Sequence, residues 1–372
     1  MRILHAADLH LAPRLDYIDD RARRASRRED FARQADRLPE LVREHGCELV
    51  LLAGDVFDRD LPALPEAGRL AAALAGCDVP VLIVPGTHDP WRPGGVWDRP
   101  WPANVTVFSD DRWTTVRVGD CAVSALASRG RPLGRPLFSG LPAGDGAAHF
   151  HVGLVHASLL WADVKAKVDA KNFPFEEAEL DGLHLDYLAL GDHHRTRSVR
   201  RGRLLAAYPG SPEGLAFDPA EAGDRHVFLV DLAENAASVT PLKTNAREIH
   251  LEEIDVAALE GDSPGDMAEA VRRRLAAAAS GDRLARFDLS GVLGAPHSLE
   301  PAALELGARE GYFLLELRDR TRTLPAPSGE ANTIRAAFER RLRQRLDSAG
   351  AEERETVELA LRFGLQALEN LL

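Results

Sequence analysis

Five times in this chain an apolar run of strand length gives way at once to aspartate or histidine. RILHAA precedes Asp8-Leu9-His10, ELVLLA precedes Gly54-Asp55, and VPVLIVP precedes Gly86-Thr87-His88-Asp89. HVGLV precedes His156, and YLAL precedes Gly191-Asp192-His193-His194. Short apolar runs bounded by turn residues read as buried strands. In an α/β sheet, ligands collect in the crevice beyond the carboxyl ends of the strands. Charged and imidazole groups placed repeatedly at that one position predict a single crevice in which five strand ends converge.

The order of elements fits this reading. Strands are expected at 2–7, 48–53 and 79–84, with helices between them, and the alternation favours an α/β layer structure. In the first connection Phe31, Leu38, Leu41 and Val42 recur at helical spacing up to Gly46, while Pro39 argues against one straight helix. Arg21, Arg23, Arg24, Arg27 and Arg28 precede that pattern, as a solvated helix face or as phosphate contacts. Leu64 to Ala75 reads as a second helix. Further strands follow at 104–108, 113–118, 121–125, 149–155, 185–190 and 204–208, the last leading into Pro209-Gly210-Ser211-Pro212-Glu213. After about Gly223 the Asp/His strand ends stop. A hairpin at 226–232 and 237–241, a strand at 248–254, a helix at 267–279, and strands at 283–289 and 312–317 around a helix near 301–310 make a small α+β unit. LPAPSGE at 324–330 reads as a linker. Two amphipathic helices follow, with stripes Ile334, Phe338, Leu342, Leu346 and Val357, Leu361, Leu365, Leu368. The expected division is 1–222, 223–323 and 324–372.

Composition narrows the function classes. The 372 residues are 28% charged with a formal net charge of -12, which argues against a generic nucleic-acid coat but not against an enzyme that meets phosphates through local arginines and bound cations. The three cysteines are widely spaced and form no Cys-x-x-Cys pair, so neither a disulfide framework nor a thiolate zinc site is expected. No apolar stretch is long enough to cross a bilayer, and MRILHAADLH lacks the pattern of a signal peptide. A cytoplasmic location without membrane attachment is the expectation.

The donor set is Asp8, His10, Asp55, Thr87, His88, His156, Asp192 and His194. Carboxylates with neutral imidazoles suit Mn, Mg, Fe or Zn. Asp8 and His10 lie two apart, so in extended backbone they point to one side. Asp55 could bridge two ions, with Asp8, His10 and His194 completing one sphere and His156 and Asp192 the other. Two ions about 3.5–4 Å apart can activate water and stabilise both oxygens of a phosphoryl transfer. His88 has the chemistry to protonate the leaving oxygen. Asp58 or Asp89 could orient it, with Asp58 favoured, and His193 could face the substrate cleft. Taken singly each residue is most simply a turn or hydrogen-bonded group; the joint pattern makes the metal reading.

The order D-x-H, G-D-x-x-D, G-x-H-D, x-H, G-x-x-H resembles the calcineurin-like metallophosphoesterase superfamily. Asp8-Leu9-His10, Gly54-Asp55-Val56-Phe57-Asp58 and the YPGSPE run at 208–213 resemble, within it, the SbcD-type DNA double-strand-break repair nucleases. The resemblance covers roughly residues 1 to 220. It implies an α/β fold, a four-layered metallophosphoesterase core with a small α+β capping domain and C-terminal helices. It implies two divalent ions, Mn above all, and DNA endonuclease or 3′-to-5′ exonuclease activity. It also implies an SbcC-like ABC ATPase partner with coiled coils, reached through the C-terminal helices, and a homodimer through helix 21–46 or 64–75. Two departures fall on the second metal. Thr87 and Asp192 stand where the family has Asn and His, so that site is expected to be weak, altered in metal preference, or filled only with substrate. Arg129, Arg131, Arg135, Arg195, Arg197, Arg200, Arg201 and Arg203 are candidates for phosphate contacts, and Trp91 and Trp97 for base stacking or plain packing. Two other functions share the core: a small-molecule phosphodiesterase or nucleotidase, and a non-catalytic DNA-end binding subunit of an ATPase complex.

Overall fold

Strand β1 (Arg2–Ala6) is buried on both faces, so its sheet must be covered on two sides. Leu4 and Ala6 enter one core and Ile3 another. The first core is closed by helix α1 (Arg21–His45), which precedes β2 (Leu49–Ala53), and by α2 (Leu64–Ala75), which precedes β3 (Val81–Val84) and β4 (Val105–Val107). β1, β2, β3 and β4 run parallel. The structure, a computed structural model, describes residues 1–60, 64–144, 147–163, 168–234, 236–259, 264–294, 299–324 and 333–369. α1 starts where Asp20 accepts from the Arg23 amide at 2.8 Å and stops at left-handed Gly46. The break expected at Pro39 does not occur: Pro39 is buried in a continuous helix, where packing offsets its missing hydrogen bond.

A second sheet contains β5 (Thr114–Val118), β6 (Cys121–Leu126), β7 (Phe150–His156), β8 (Tyr187–Gly191), β9 (Arg197–Arg201) and β10 (Leu204–Tyr208), in the order β5-β6-β7-β8-β10-β9. Its inner face (Val123, Val152, Leu154, Tyr187, Ala189, Leu205) meets Ile3, Leu49, Leu51 and Leu82 of the first sheet. Its outer face packs under Leu137, Phe173, Phe175 and Leu180 from the loops and short 3-10 turns. The core is thus layered: helices, sheet, sheet, loops. β11 (His226–Leu232) and β12 (Ala237–Lys243), placed by sequence in the accessory unit, extend the first sheet instead, β11 pairing antiparallel with β1. Hydropathy alternation cannot distinguish a free hairpin from one that adds to a distant edge. The boundary between the two compact units, Met1–Ile249 and His250–Leu372, falls within β13 (Glu248–Asp255).

The second unit has a sheet in the order β13-β14-β16, from β14 (Ser280–Ser290) and β16 (Tyr312–Asp319), covered by α3 (Pro264–Ala278) and α4 (Pro301–Ala308). Val271, Leu275, Phe287, Leu304 and Leu315 form its core. β15 (Val292–Gly294) pairs parallel with β17 (Arg322–Leu324). The expected linker lies, beyond Leu324, outside the described residues. α5 (Ile334–Ser348) and α6 (Ala351–Glu369) pack on each other through Leu346, Val357, Leu361 and Leu365, with Phe338 and Leu342 alongside. Ile334, read as the start of that stripe, is 82% exposed. Among the described residues no helix is long and apolar enough to cross a membrane.

Candidate metal centre

Parallel β1, β2 and β3 lie side by side in one sheet, and parallel β7 and β8 in the other. Their carboxyl ends therefore share one edge of the stacked pair. The extended backbone expected for Asp8 and His10 is not what aims them. β1 ends at Ala6, and Asp8 and His10 sit at φ 53° and 45°, as do Asp55 at 48° and Asp192 at 101°. Left-handed backbone costs about 1–3 kcal/mol per residue and persists only where the surroundings impose it. Here the loops are laced together, with the Asp8 amide on the Gly54 carbonyl at 3.0 Å and the His10 amide on the Asp55 carbonyl at 3.0 Å.

Asp8, His10 and His194 place donor atoms within 4.8 Å of one another, and so do Asp8, Asp55 and His156. Asp8 is common to both groups; Asp55, expected to bridge, belongs to the second and also lies close to the charges of His10 and His88. His10 Nε2 and His194 Nε2 face each other at 3.2 Å. His156 Nε2 lies 3.3 Å from Asp55 Oδ2 and 3.7 Å from Asp192 Oδ1. The Thr87 hydroxyl is 3.4 Å from Asp55 Oδ2. A third group, His10, Asp58 and His88, adjoins the first.

These residues fit divalent cations. His156 Nε2 and His10 Nδ1 are buried without a hydrogen-bond partner. Two facing Nε2 atoms beside buried carboxylates are what a shared cation satisfies, and an all-oxygen-and-imidazole set suits Mn, Mg, Fe or Zn. Burial raises the Asp8 pKa. Burial pulls the His156 pKa down, yet the charges of Asp55, Asp8 and Asp192 override it and raise it well above the ordinary value. For His194 burial is likewise overridden, by Glu221, and its pKa rises to about 9. Protons thus hold the places where cations would neutralise the carboxylates.

Glycines make the space. Gly54 has φ +85°, and a Cβ there would lie 2.5 Å from His156 Nδ1; at Gly191 a Cβ would lie 1.9 Å from the Ala53 carbonyl oxygen. That carbonyl accepts from His156 Nδ1 at 2.8 Å, leaving Nε2 for the centre.

Several outer roles differ from the sequence reading. His88 is exposed, and its Nδ1 is 3.2 Å from the Asp58 backbone carbonyl, not from the Asp58 carboxylate. That carboxylate stands 3.3 Å from His10 Nδ1. Asp89 does not reach His88: its oxygens accept from the Gly86 amide (2.7 Å) and the Phe57 amide (2.9 Å) and brace the two loops. His193 is buried rather than facing a cleft, with Nε2 3.0 Å from the Leu159 carbonyl and its ring against Tyr208 and Trp161. Asp192 receives the Ser158 hydroxyl and the Asn172 amide. Sequence reasoning missed Glu221, which accepts from His194 Nδ1; nothing in the sequence signals a carboxylate that far down the chain. It also missed why the 208–213 run matters. The Ser211 amide donates to the His194 carbonyl (3.2 Å), its hydroxyl to Glu221 (2.9 Å), and Glu213 pairs with Arg27 at 2.6 Å. Arg27 is therefore neither solvated nor phosphate-facing; it is fully buried.

The arginines expected to contact phosphate are mostly engaged. Arg131 pairs with Asp111, Arg197 with Asp163, Arg201 with Glu177 and Arg203 with Asp186. Arg200 donates to the Ala237 carbonyl at 2.6 Å, and Arg135 to the carbonyls of Ser139 and Asp111. Arg129, stacked over Trp91 at 4.6 Å, and Arg195, whose guanidinium reaches the Pro219 carbonyl, form no ion pair within 4 Å among the described residues, although the charges of Asp111 and Asp163 lie near them. Trp97 is packed against Phe57 and Trp101.

The calcineurin-like phosphoesterase pattern matches residues 1–195, more than half of the chain and the whole run of strand ends that carries the donors. The chain belongs to the calcineurin-like phosphoesterase family. Relatives similar to it in sequence include the "Uncharacterized metallophosphoesterase YhaO" of Bacillus subtilis, 26% identical over 64% of this chain and 59% of its own length. A subunit of the nuclease SbcCD of Bacillus subtilis is 26% identical over 62% of this chain and 66% of its own length. The "DNA double-strand break repair protein Mre11" of Aeropyrum pernix is 27% identical over 77% and 70%. The chain thus spans less than two thirds of the length of the two Bacillus relatives. A calcineurin-like phosphoesterase core with these donor triads supports a metal-dependent phosphoesterase activity.

Proposed function

We propose that this chain is a divalent-metal-dependent nuclease that hydrolyses phosphodiester bonds in DNA, in repair or end processing. The observation that carries the reading is the pair of donor groups joined at Asp8, with exposed His88 beside them. Asp8, His10 and His194 would hold one ion, and His156 and Asp192, with the Thr87 hydroxyl nearby, the other, with Asp55 bridging the two; Mn is the ion the family resemblance implies. When bound, such ions activate water and neutralise the phosphate oxygens. His88 donates through Nδ1 to the Asp58 carbonyl, so it would act as an imidazolium whose second proton, on Nε2, passes to the leaving sugar oxygen. DNA as substrate is supported by relatives whose names specify a nuclease and a double-strand-break repair protein. Arg129 and Arg195, in no ion pair within 4 Å among the described residues, are the arginines best able to meet backbone phosphates. The ABC-type ATPase partner is supported by the relative named as part of SbcCD, and a homodimer through α1 or α2 belongs to the same proposal.

A second reading, a small-molecule phosphodiesterase or nucleotidase, is favoured by the ion pairs that occupy Arg131, Arg197, Arg201 and Arg203. The deciding experiment is cleavage of end-labelled linear DNA by metal-stripped protein, with Mn, Mg, Fe and Zn restored separately and His88→Ala alongside. Mn-stimulated cleavage lost in the variant supports the nuclease. Turnover of a small phosphodiester that depends on His88, with DNA untouched, establishes the second reading instead.

A further inference from the structure

We propose that Glu221 is a positioning residue that makes the Asp8–His10–His194 group the tighter of the two metal sites, so that the ions bind in a fixed order. This rests on the reading that both donor groups hold ions, and it adds what ranks them.

Glu221 is buried and tightly placed. One oxygen meets His194 Nδ1; the other accepts from the Ser211 hydroxyl at 2.9 Å and the Leu215 amide at 3.3 Å. Arg225 stands behind them, bonded to the Ser211 carbonyl (3.1 Å), the Ser211 hydroxyl (2.9 Å) and the Ala220 carbonyl (2.7 Å). The carboxylate is thereby fixed in position before any ligand arrives. Because a carboxylate only accepts, His194 keeps a proton on Nδ1, and Nε2 is the nitrogen left to take a cation. That is the nitrogen facing His10 Nε2. His10 has a carboxylate behind it as well, Asp58, at 3.3 Å from Nδ1.

The second group is built differently. His156 Nδ1 faces a neutral backbone carbonyl, that of Ala53. Asp192 is held by two neutral donors, the Ser158 hydroxyl and the Asn172 amide, which draw electron density away from its oxygens. A carboxylate behind an imidazole fixes its orientation and raises its basicity as a ligand, and loss of such a partner typically costs 10–100-fold in metal affinity. In the first group His194 has this support through a hydrogen bond and His10 has the Asp58 charge 3.3 Å from Nδ1 without one; the single imidazole of the second group is bonded to a neutral carbonyl. Beside the Thr87 and Asp192 departures within the donor set, this difference lies in the groups behind the imidazoles, and Glu221 is the more deeply buried of the two carboxylates that create it.

The test is Mn2+ binding to the metal-free full chain, followed by the EPR signal of free Mn2+ and by calorimetry, without any substrate. The wild-type protein is expected to bind in two resolved steps. Glu221→Gln should weaken the tighter step by roughly 10–100-fold and leave the weaker one in place. Asn172→Ala, which removes one of the donors that draw density from Asp192, should leave the tighter step unchanged and not weaken the second. Asp58→Asn, at a less enclosed position, should weaken the tighter step too, and it decides the matter by the same criterion if circular dichroism shows Glu221→Gln unfolded. The proposal is overturned if folded Glu221→Gln, or Asp58→Asn where Glu221→Gln is unfolded, leaves the tighter step where it was or weakens both steps equally. A wild-type chain that binds no Mn2+ at all would instead remove the two-ion reading on which the proposal stands.

Discussion

Replacing Arg27 with methionine tests how the centre is anchored to the body of the fold. The guanidinium is 0% exposed and reaches Glu213, also 0% exposed, at 2.6 Å, the Gly214 carbonyl at 2.6 Å and Asp30 at 3.3 Å. Asp30 keeps Arg247 at 2.7 Å when Arg27 is gone, so its charge stays compensated. Among the described residues the hydrogen-bond donors left to Glu213 are neutral, the Gln34 amide at 3.1 Å and the Ala246 amide at 2.8 Å. Breaking a buried pair from one side typically costs about 3–5 kcal/mol, because the remaining charge is stranded. For a unit the size of Met1–Ile249, that corresponds to a fall in Tm of roughly 6–20 °C. The assay is thermal and urea unfolding of Arg27→Met, Glu213→Leu and the double variant. Removing both charges should recover much of the single loss, since an apolar pair of similar volume often replaces a buried ion pair at little cost. The reasoning is refuted if Arg27→Met loses less than about 1 kcal/mol, the scale of an exposed pair, or if the double variant loses the full sum of the singles.

Gly191→Ala places a Cβ on the hydrogen bond between His156 and Ala53; it should destabilise by about 1–3 kcal/mol and weaken Mn2+ binding, as read by unfolding and by calorimetry. His88→Ala should lower turnover by about 10²–10⁴-fold while Mn2+ stoichiometry stays unchanged, a split that kinetics and metal analysis together reveal. In the metal-free protein burial depresses the His194 pKa but Glu221 raises it above its ordinary value, to about 9. The stability this pair contributes is therefore full below the ordinary histidine value and is lost as pH rises through about 9; Tm of the stripped protein should fall over that window. Added Mn2+ should abolish the fall, because metal binding strengthens as those protons leave.

The donors were legible in the sequence because each follows a strand end, and strand ends show in apolar runs of fixed length. Asp8, His10, Asp55, His156 and His194, which the fold brings into groups able to hold a metal, could be named as candidates from that pattern, with Asp192 named beside them. So could the α/β alternation of the first core and the two amphipathic helices at the end of the chain. Contacts between residues far apart in the chain could not. The pairing of β11 with β1, the passage of Arg27 to Glu213 and the support of His194 by Glu221 join segments whose local sequence says nothing of their partner. Sequence could not aim the side chains either: it predicted extended backbone at Asp8 and His10, where the laced loops impose left-handed φ instead. Local pattern reports which residues a strand ends on, because side-chain period and hydropathy are properties of a few neighbouring residues. Which nitrogen of an imidazole faces the centre is decided by the group on its other side, and only the folded chain brings that group into place.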